Sequence, residues 1–140
     1  MTDIKLPYYG TKVSVEQSQL DIQKLLKKFG IEKAFWGHDG NTEILTFEIK
    51  TSKSQKRVVK MMVPEMLYEQ RKGKMPRPIK DKQKYRLFYH SLQGILTGTT
   101  AGIFNIEDIF LADTVVNFNG QQLTMKQIRP NNIQFLTEGE

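Results

Sequence analysis

Two stretches of helical periodicity enclose a stretch of strand periodicity, and this order limits the possible folds more than any other feature of the chain. Val15, Ile22, Leu25, Leu26 and Phe29 recur at helical spacing and form one apolar stripe. Ser14 followed by Gln17 reads as a capping box, which satisfies free amides at a helix start. Lys24, Lys27 and Lys28 suit the negative end of the helix dipole, and Gly30 is a natural stop. The pattern predicts a helix over 15–29. Tyr85, Phe88, Tyr89, Leu92, Ile95, Leu96 and Thr99 repeat the signal, predicting a second helix over about 82–98 with Asp81 as its cap. Gly94 and Gly98 inside it each cost ~1 kcal/mol relative to Ala. They read either as points of close packing or as early fraying.

Between the helices, Leu45, Phe47 and Ile49 alternate with Thr46 and Glu48, the period of a half-buried strand. Ala34-Phe35-Trp36 precedes a turn at His38-Asp39-Gly40-Asn41, and Thr51–Gln55 is a second turn before an Arg57–Val63 strand stopped by Pro64. Three short strands in an antiparallel meander are the simplest arrangement. Gly73, Pro76 and Pro78 forbid a regular helix through 65–80, which reads as a mobile basic loop. After the second helix, Asn105 opens a turn at about 106–112. Thr114–Phe118 and Gln121–Leu123 then flank Asn119-Gly120, the strongest two-residue hairpin signal. Thr124 caps a last short turn ending at Pro130, and the tail from Asn131 is expected to fray. The expected fold is a single α+β domain over 1–140: N-terminal helix, three-stranded antiparallel meander, second core helix and C-terminal β-hairpin.

Composition excludes several function classes. The 140 residues are enough for one domain with a core. With no Cys there is no disulfide scaffold, thiolate metal site or thiol catalysis, and two His, His38 and His90, leave little for an imidazole site. No apolar run approaches the ~20 residues of a membrane helix. Met1-Thr2-Asp3-Ile4-Lys5 has no apolar stretch of a secretory signal, so a cytoplasmic location is expected. No phosphate-binding glycine loop or dinucleotide fingerprint is present, and Leu96–Gly102, though rich in Gly and Thr, ends a helix rather than opening one. Glu107, Asp108 and Asp113 are the candidates for a Mg²⁺ site, although acids in a first helical turn already explain the first two. No cofactor is implied.

The charge distribution is more informative than the net charge of +6. From Lys50 to Arg86 there are 13 basic and 3 acidic residues, giving +10, whereas the remaining chain carries −4. Such concentration creates a local positive potential that captures a polyanion, and nucleic acid is the default one. The competing reading is a solvated basic segment that keeps the chain soluble. On the first reading, Lys53, Lys56, Arg57, Lys60, Arg71, Lys72, Lys74, Arg77, Lys80, Lys82, Lys84 and Arg86 contact phosphates, with Tyr68 as the freest stacking aromatic. Tyr8 and Tyr9 follow Tyr68 in that respect. Tyr85, Tyr89 and Trp36 are expected in the core, His38 in an exposed turn, and His90 with Arg86 could form a small phosphate-contacting face.

Several stretches together resemble a family of small uncharacterised proteins encoded by phages, prophages and other mobile elements. They are Thr11-Lys12-Val13-Ser14-Val15-Glu16-Gln17-Ser18, Ile22 to Gly30, the meander, Tyr85-Arg86, and Glu107-Asp108-Ile109-Phe110-Leu111-Ala112 before Asn119-Gly120. The chain departs from that family's Ala- and Lys-rich helix at Gly94, Thr97, Gly98 and Thr99. The resemblance implies a mobile-element setting and no enzymatic mechanism. Three functions follow as expectations. The first is a non-enzymatic nucleic-acid-binding accessory protein with little sequence preference. The second is a protein-interaction module, a phage factor docking on a host or defence protein through an apolar patch at Phe104, Ile109, Phe110 and Leu111. The third is a metal-dependent nuclease.

Overall fold

In the computed structural model, which describes residues 5–132, helix α1 (Val15–Lys28) leads into three antiparallel strands, β1 (Ala34–Asp39), β2 (Thr42–Lys50) and β3 (Lys56–Val63). Two-residue strands β4 (Tyr68–Glu69) and β5 (Arg77–Pro78) pair with each other before helix α2 (Asp81–Thr100). A short helix α3 (Ile106–Ile109) and a 3₁₀ turn at Leu111–Asp113 lead to the hairpin β6 (Val115–Phe118) and β7 (Gln121–Thr124), followed by helix α4 (Met125–Asn132). The fold is a small α+β domain with the sheet order β1-β2-β3. No helix among the described residues is long and apolar enough to cross a membrane.

Period-two alternation assigns the two faces of the sheet. Residues paired directly across antiparallel strands project to the same side. Ala34, Phe47 and Val59 form one such row, and Trp36, Leu45 and Met61 another. Against this face pack Ile22, Leu25 and Leu26 of α1, Leu92 and Leu96 of α2, and Phe110. Trp36 is locked between the layers: its indole Nε1 donates to the Gln19 carbonyl (3.1 Å), and its ring meets Tyr85 edge-on at 5.7 Å. Tyr85 is buried, and burial together with the nearby Glu43 charge pushes its phenol up to about 12.

The helix ends correct the expected boundaries. Ser14 caps α1 by accepting from the Gln17 amide (3.1 Å), but the Gln17 side chain donates to Asp21 (2.8 Å) instead of closing the box. Gly30 follows the α1 end as expected, with Ile31 N–H donating to the Leu26 carbonyl. Asp81 does not cap α2. Lys80 occupies that position without a side-chain hydrogen bond, and Asp81 sits in the first turn. At the other end α2 continues two residues past the expected stop, to Thr100. The stop is Gly102, whose φ of +83° lets Ile103 N–H turn back to the Gly98 carbonyl (2.8 Å). Gly98 serves a different purpose: a Cβ there would lie 2.6 Å from the Phe104 ring, so the missing side chain makes room for that ring.

Three further differences concern the segments around the core. The 65–80 stretch is not a featureless loop, because β4 and β5 pair within it and Ile79 is buried. Thr114 leaves the C-terminal hairpin to bridge Val59 of β3. Thr124 caps α4 with a full reciprocal box, its hydroxyl accepting from Gln127 N–H while the Gln127 side chain accepts from Thr124 N–H. That helix runs through Pro130 to Asn132, past the expected end. The tail expected to fray lies, beyond residue 132, outside the described residues.

A single arginine ties the two long helices together. Arg86 of α2 donates from Nη2 to the Asp21 carboxylate (2.7 Å) and from Nε to the Ser18 hydroxyl (3.0 Å). Burial raises the Asp21 pKa, but hydrogen bonds from Gln17 and Arg86 and the charges of Arg86 and Lys24 outweigh it and hold the carboxyl below its ordinary value of 3.8.

Both the α2 glycines and the Arg86 tie have measurable consequences for stability. Gly94 is exposed and has nothing within 4 Å of an added Cβ, so Gly94→Ala stabilises the protein by about 1 kcal/mol in urea melts, whereas Gly98→Ala gains nothing or destabilises. A depressed folded pKa contributes stability above the unfolded value, and that stability is lost as pH falls through the folded one. Denaturation of wild type and Asp21→Asn should therefore differ most at neutral pH and converge on acidification. A gap that persists unchanged into acid would contradict this.

Candidate nucleic-acid interface

The basic residues expected to grip phosphate divide into two classes. Some have their charge committed inside the structure. Lys84 is buried, and its ammonium donates to the Pro64 and Glu65 carbonyls (both 3.0 Å) and pairs with Asp81 (3.3 Å). It closes the chain after β3 and is not available to a ligand. Arg77 pairs with Glu69, an acid only 3% exposed, whose other oxygen accepts from Leu6 N–H. Arg71 donates from both Nε (3.0 Å) and Nη2 (2.6 Å) to the Met75 carbonyl, closing the loop between β4 and β5. Arg86 is held by Asp21 and Ser18. Its expected partner His90 stacks on Tyr8 instead, with ring centroids 4.5 Å apart.

The reason is local. Glu69 enters the interior with the short β4 strand, and a buried carboxylate must be paired and hydrogen-bonded. Arg77 lies directly across in β5, and the N-terminal lead-in supplies the amide. The lead-in is clasped further along: Gln83 donates to the Pro7 carbonyl (3.0 Å), and the Arg77 guanidinium lies 4.5 Å from the Tyr9 ring centroid. Tyr9 is thus a partner of a structural arginine, while Tyr68 is exposed on β4.

The second class keeps its charge in solvent. Among the described residues, the ammonium groups of Lys53, Lys56, Lys60, Lys72, Lys74, Lys80 and Lys82 make no hydrogen bond or ion pair; Lys80 lies over the Tyr9 ring at 5.4 Å. They fall into two groups. Lys72 and Lys74 sit at the β4–β5 loop, with Lys80 and Lys82 beside a cleft at the start of α2 lined also by Tyr9 and Thr11. Lys53, Lys56 and Lys60 run from the β2–β3 turn along β3, where Lys50 pairs across from Lys56. Arg57, half-buried, projects to the helix-covered face together with Ile49.

The acidic candidates are not brought together. Glu107 accepts from Ser52 N–H, which together with nearby Arg57 and Lys53 lowers its pKa despite some burial. Asp108 lies in the first turn of α3, where the Asn105 side chain caps its amide (3.3 Å). Burial pushes Asp113 up against the opposing charge of Lys126. Among the described residues no three His, Cys, Asp or Glu side chains could hold one metal ion. Of the expected apolar patch, Phe104, Ile109 and Leu111 are exposed, but Phe110 is only 1% exposed and meets Phe47 edge-on at 5.3 Å. It follows core-packed Ile106 by one helical turn, its N–H donating to the Ile106 carbonyl (3.3 Å). Exposed Ile103, which the sequence pattern does not single out, stands in its place. Trp36 and Tyr89 are half-buried against the core, and His38 is exposed beside Glu43 (3.2 Å).

Compared with protein-family models, curated proteins and solved structures, the chain matches none.

The division of the cations is testable by stability. Arg77→Ala strands a buried carboxylate and should cost about 3 kcal/mol, whereas Lys72→Ala with Lys74→Ala should stay within about 0.5 kcal/mol of wild type. Equal destabilisation by the two changes in urea melts would contradict the assignment.

Proposed function

We propose that this protein is a non-enzymatic nucleic-acid-binding accessory protein of a phage or other mobile element, acting in the cytoplasm with little sequence preference. The observation that carries the reading is the set of seven lysines whose ammonium groups have no ion pair among the described residues. Ammonium groups without an ion pair displace condensed counterions from phosphate without first breaking a salt bridge. They are also point charges without the planar fork that reads base edges, which favours backbone contact over base selection. The mobile-element setting rests on the sequence resemblance. Lys84, Arg71, Arg77 and Arg86 are set apart from the binding surface because their charge holds the fold.

A second reading has its own observation. Ile103, Phe104, Ile109 and Leu111 are exposed around the end of α2 and the short α3, a surface suited to a protein partner. An association through this patch would survive high salt; one through the lysines would not.

Anisotropy titrations with single- and double-stranded oligonucleotides at several salt concentrations separate the two. Affinity should fall steeply with salt and vary little with base sequence. Replacing Lys72, Lys74, Lys80 and Lys82 by Gln should flatten the duplex salt slope by roughly 0.9 for each phosphate that is no longer neutralised. Absence of binding at low salt, or affinity indifferent to salt, contradicts the proposal.

A further inference from the structure

The face of the sheet turned away from α1 and α2 carries a pattern of its own. In register, Phe35 of β1, Thr46 of β2 and Lys60 of β3 form one row across it. Phe35 is 59% exposed, a large aromatic on an edge strand with its ring in solvent. Thr46 between them is 9% exposed, so the row is a floor with an aromatic wall on one side and a lysine on the other. Adjacent rows add Val58 opposite Glu48, then Lys56 opposite Lys50. Along β3 the outward side chains are therefore Lys56, Val58, Lys60 and Met62, cations alternating with apolar groups.

We infer that this outer face binds single-stranded nucleic acid, with Phe35 stacking a base and Lys60 and Lys56 holding the flanking phosphates. The inference rests on the nucleic-acid reading above and names the strand form and the surface. Charge complementarity and the exposed ring select the occupant together. An apolar protein partner would leave Lys60 desolvated and unpaired in the middle of the contact. A duplex keeps its bases stacked on one another, so it offers nothing to a lone exposed ring. An unpaired strand offers both a base face and a phosphate, and β1 and β3 stand roughly 10 Å apart at normal strand spacing. Stacking on an aromatic tolerates any base, in keeping with weak sequence preference. Glu48, an acid beside the lysine line, lies half-buried opposite Val58.

The test uses the full chain, with fluorescein-labelled oligothymidylate and a duplex of equal length as probes. Phe35→Ala should weaken single-strand binding by about 5- to 100-fold while changing duplex affinity less than about twofold. Phe35→Tyr keeps a stacking ring and should stay near wild type, and Lys60→Ala should flatten the single-strand salt slope by about 0.7. Circular dichroism melts verify that each variant is folded. If Phe35→Ala binds the single strand as wild type does, or weakens both strand forms equally, the inference is overturned while the broader reading stands. If wild type binds neither probe at low salt, the broader reading falls, and this one with it.

Discussion

A three-stranded sheet has two faces, and the long helices of this chain cover only one of them. The apolar stripes of α1 and α2 converge on the Leu45–Phe47–Ile49 side of β2, where Phe110 and Trp36 complete the interior. The rest of the structure depends on that choice of side. A one-residue slip in register would exchange the buried set for Ile44, Thr46 and Glu48, so the pattern of β2 fixes which face meets the helices. Arg86 then fixes how the helices meet each other, through Asp21 and Ser18. What is left over is a sheet face with an exposed phenylalanine and a line of lysines.

Charge is partitioned by the same packing. A basic segment of +10 looks uniform along the sequence, but the fold draws four of its cations into structural work. The buried Glu69 carboxylate is the centre of one such assembly, joining β5 through Arg77 and the N-terminal lead-in through Leu6. Lys84 joins the end of β3 to α2. Arginine and a buried lysine suit these roles because each carries several donors on one charged group. Apart from half-buried Arg57, the cations that remain are lysines at strand, turn, loop and helix-start positions, so the surface able to meet a polyanion is smaller and better defined than the sequence implies.

The elements carried by long periodicity are legible in the sequence: both helices, the three strands and the Asn119-Gly120 hairpin stand where the pattern places them. The differences fall where short-range patterns compete with tertiary contacts. Gly98 reads either as close packing or as fraying, and it is close packing, although nothing in the sequence announces that the ring folded over it is Phe104. Phe110, between exposed Ile109 and Leu111, belongs to the core because it lies one helical turn beyond core-packed Ile106. Of the candidate binding residues, Lys84, Arg77, Arg71 and Arg86 look like their neighbours in sequence, since their partners are carbonyls and acids distant along the chain or hidden in loops. Tyr68 reads as a freer aromatic than Phe35 because the exposure of a strand residue depends on register. The alternation of β1 is the signal that reveals Phe35: with Trp36 assigned to the core, its neighbour must face the other way.

Backbone amide chemical-shift mapping during titration with oligothymidylate tests the outer face most directly, since it reports the surface without altering any residue. The largest changes are expected to cluster at Phe35, Thr46, Lys60 and Lys56, to disappear on raising the salt, and to leave Lys84 and Arg86 unmoved. Changes centred instead on Ile103, Phe104, Ile109 and Leu111, or none at low salt, would contradict the binding of single strands by this face.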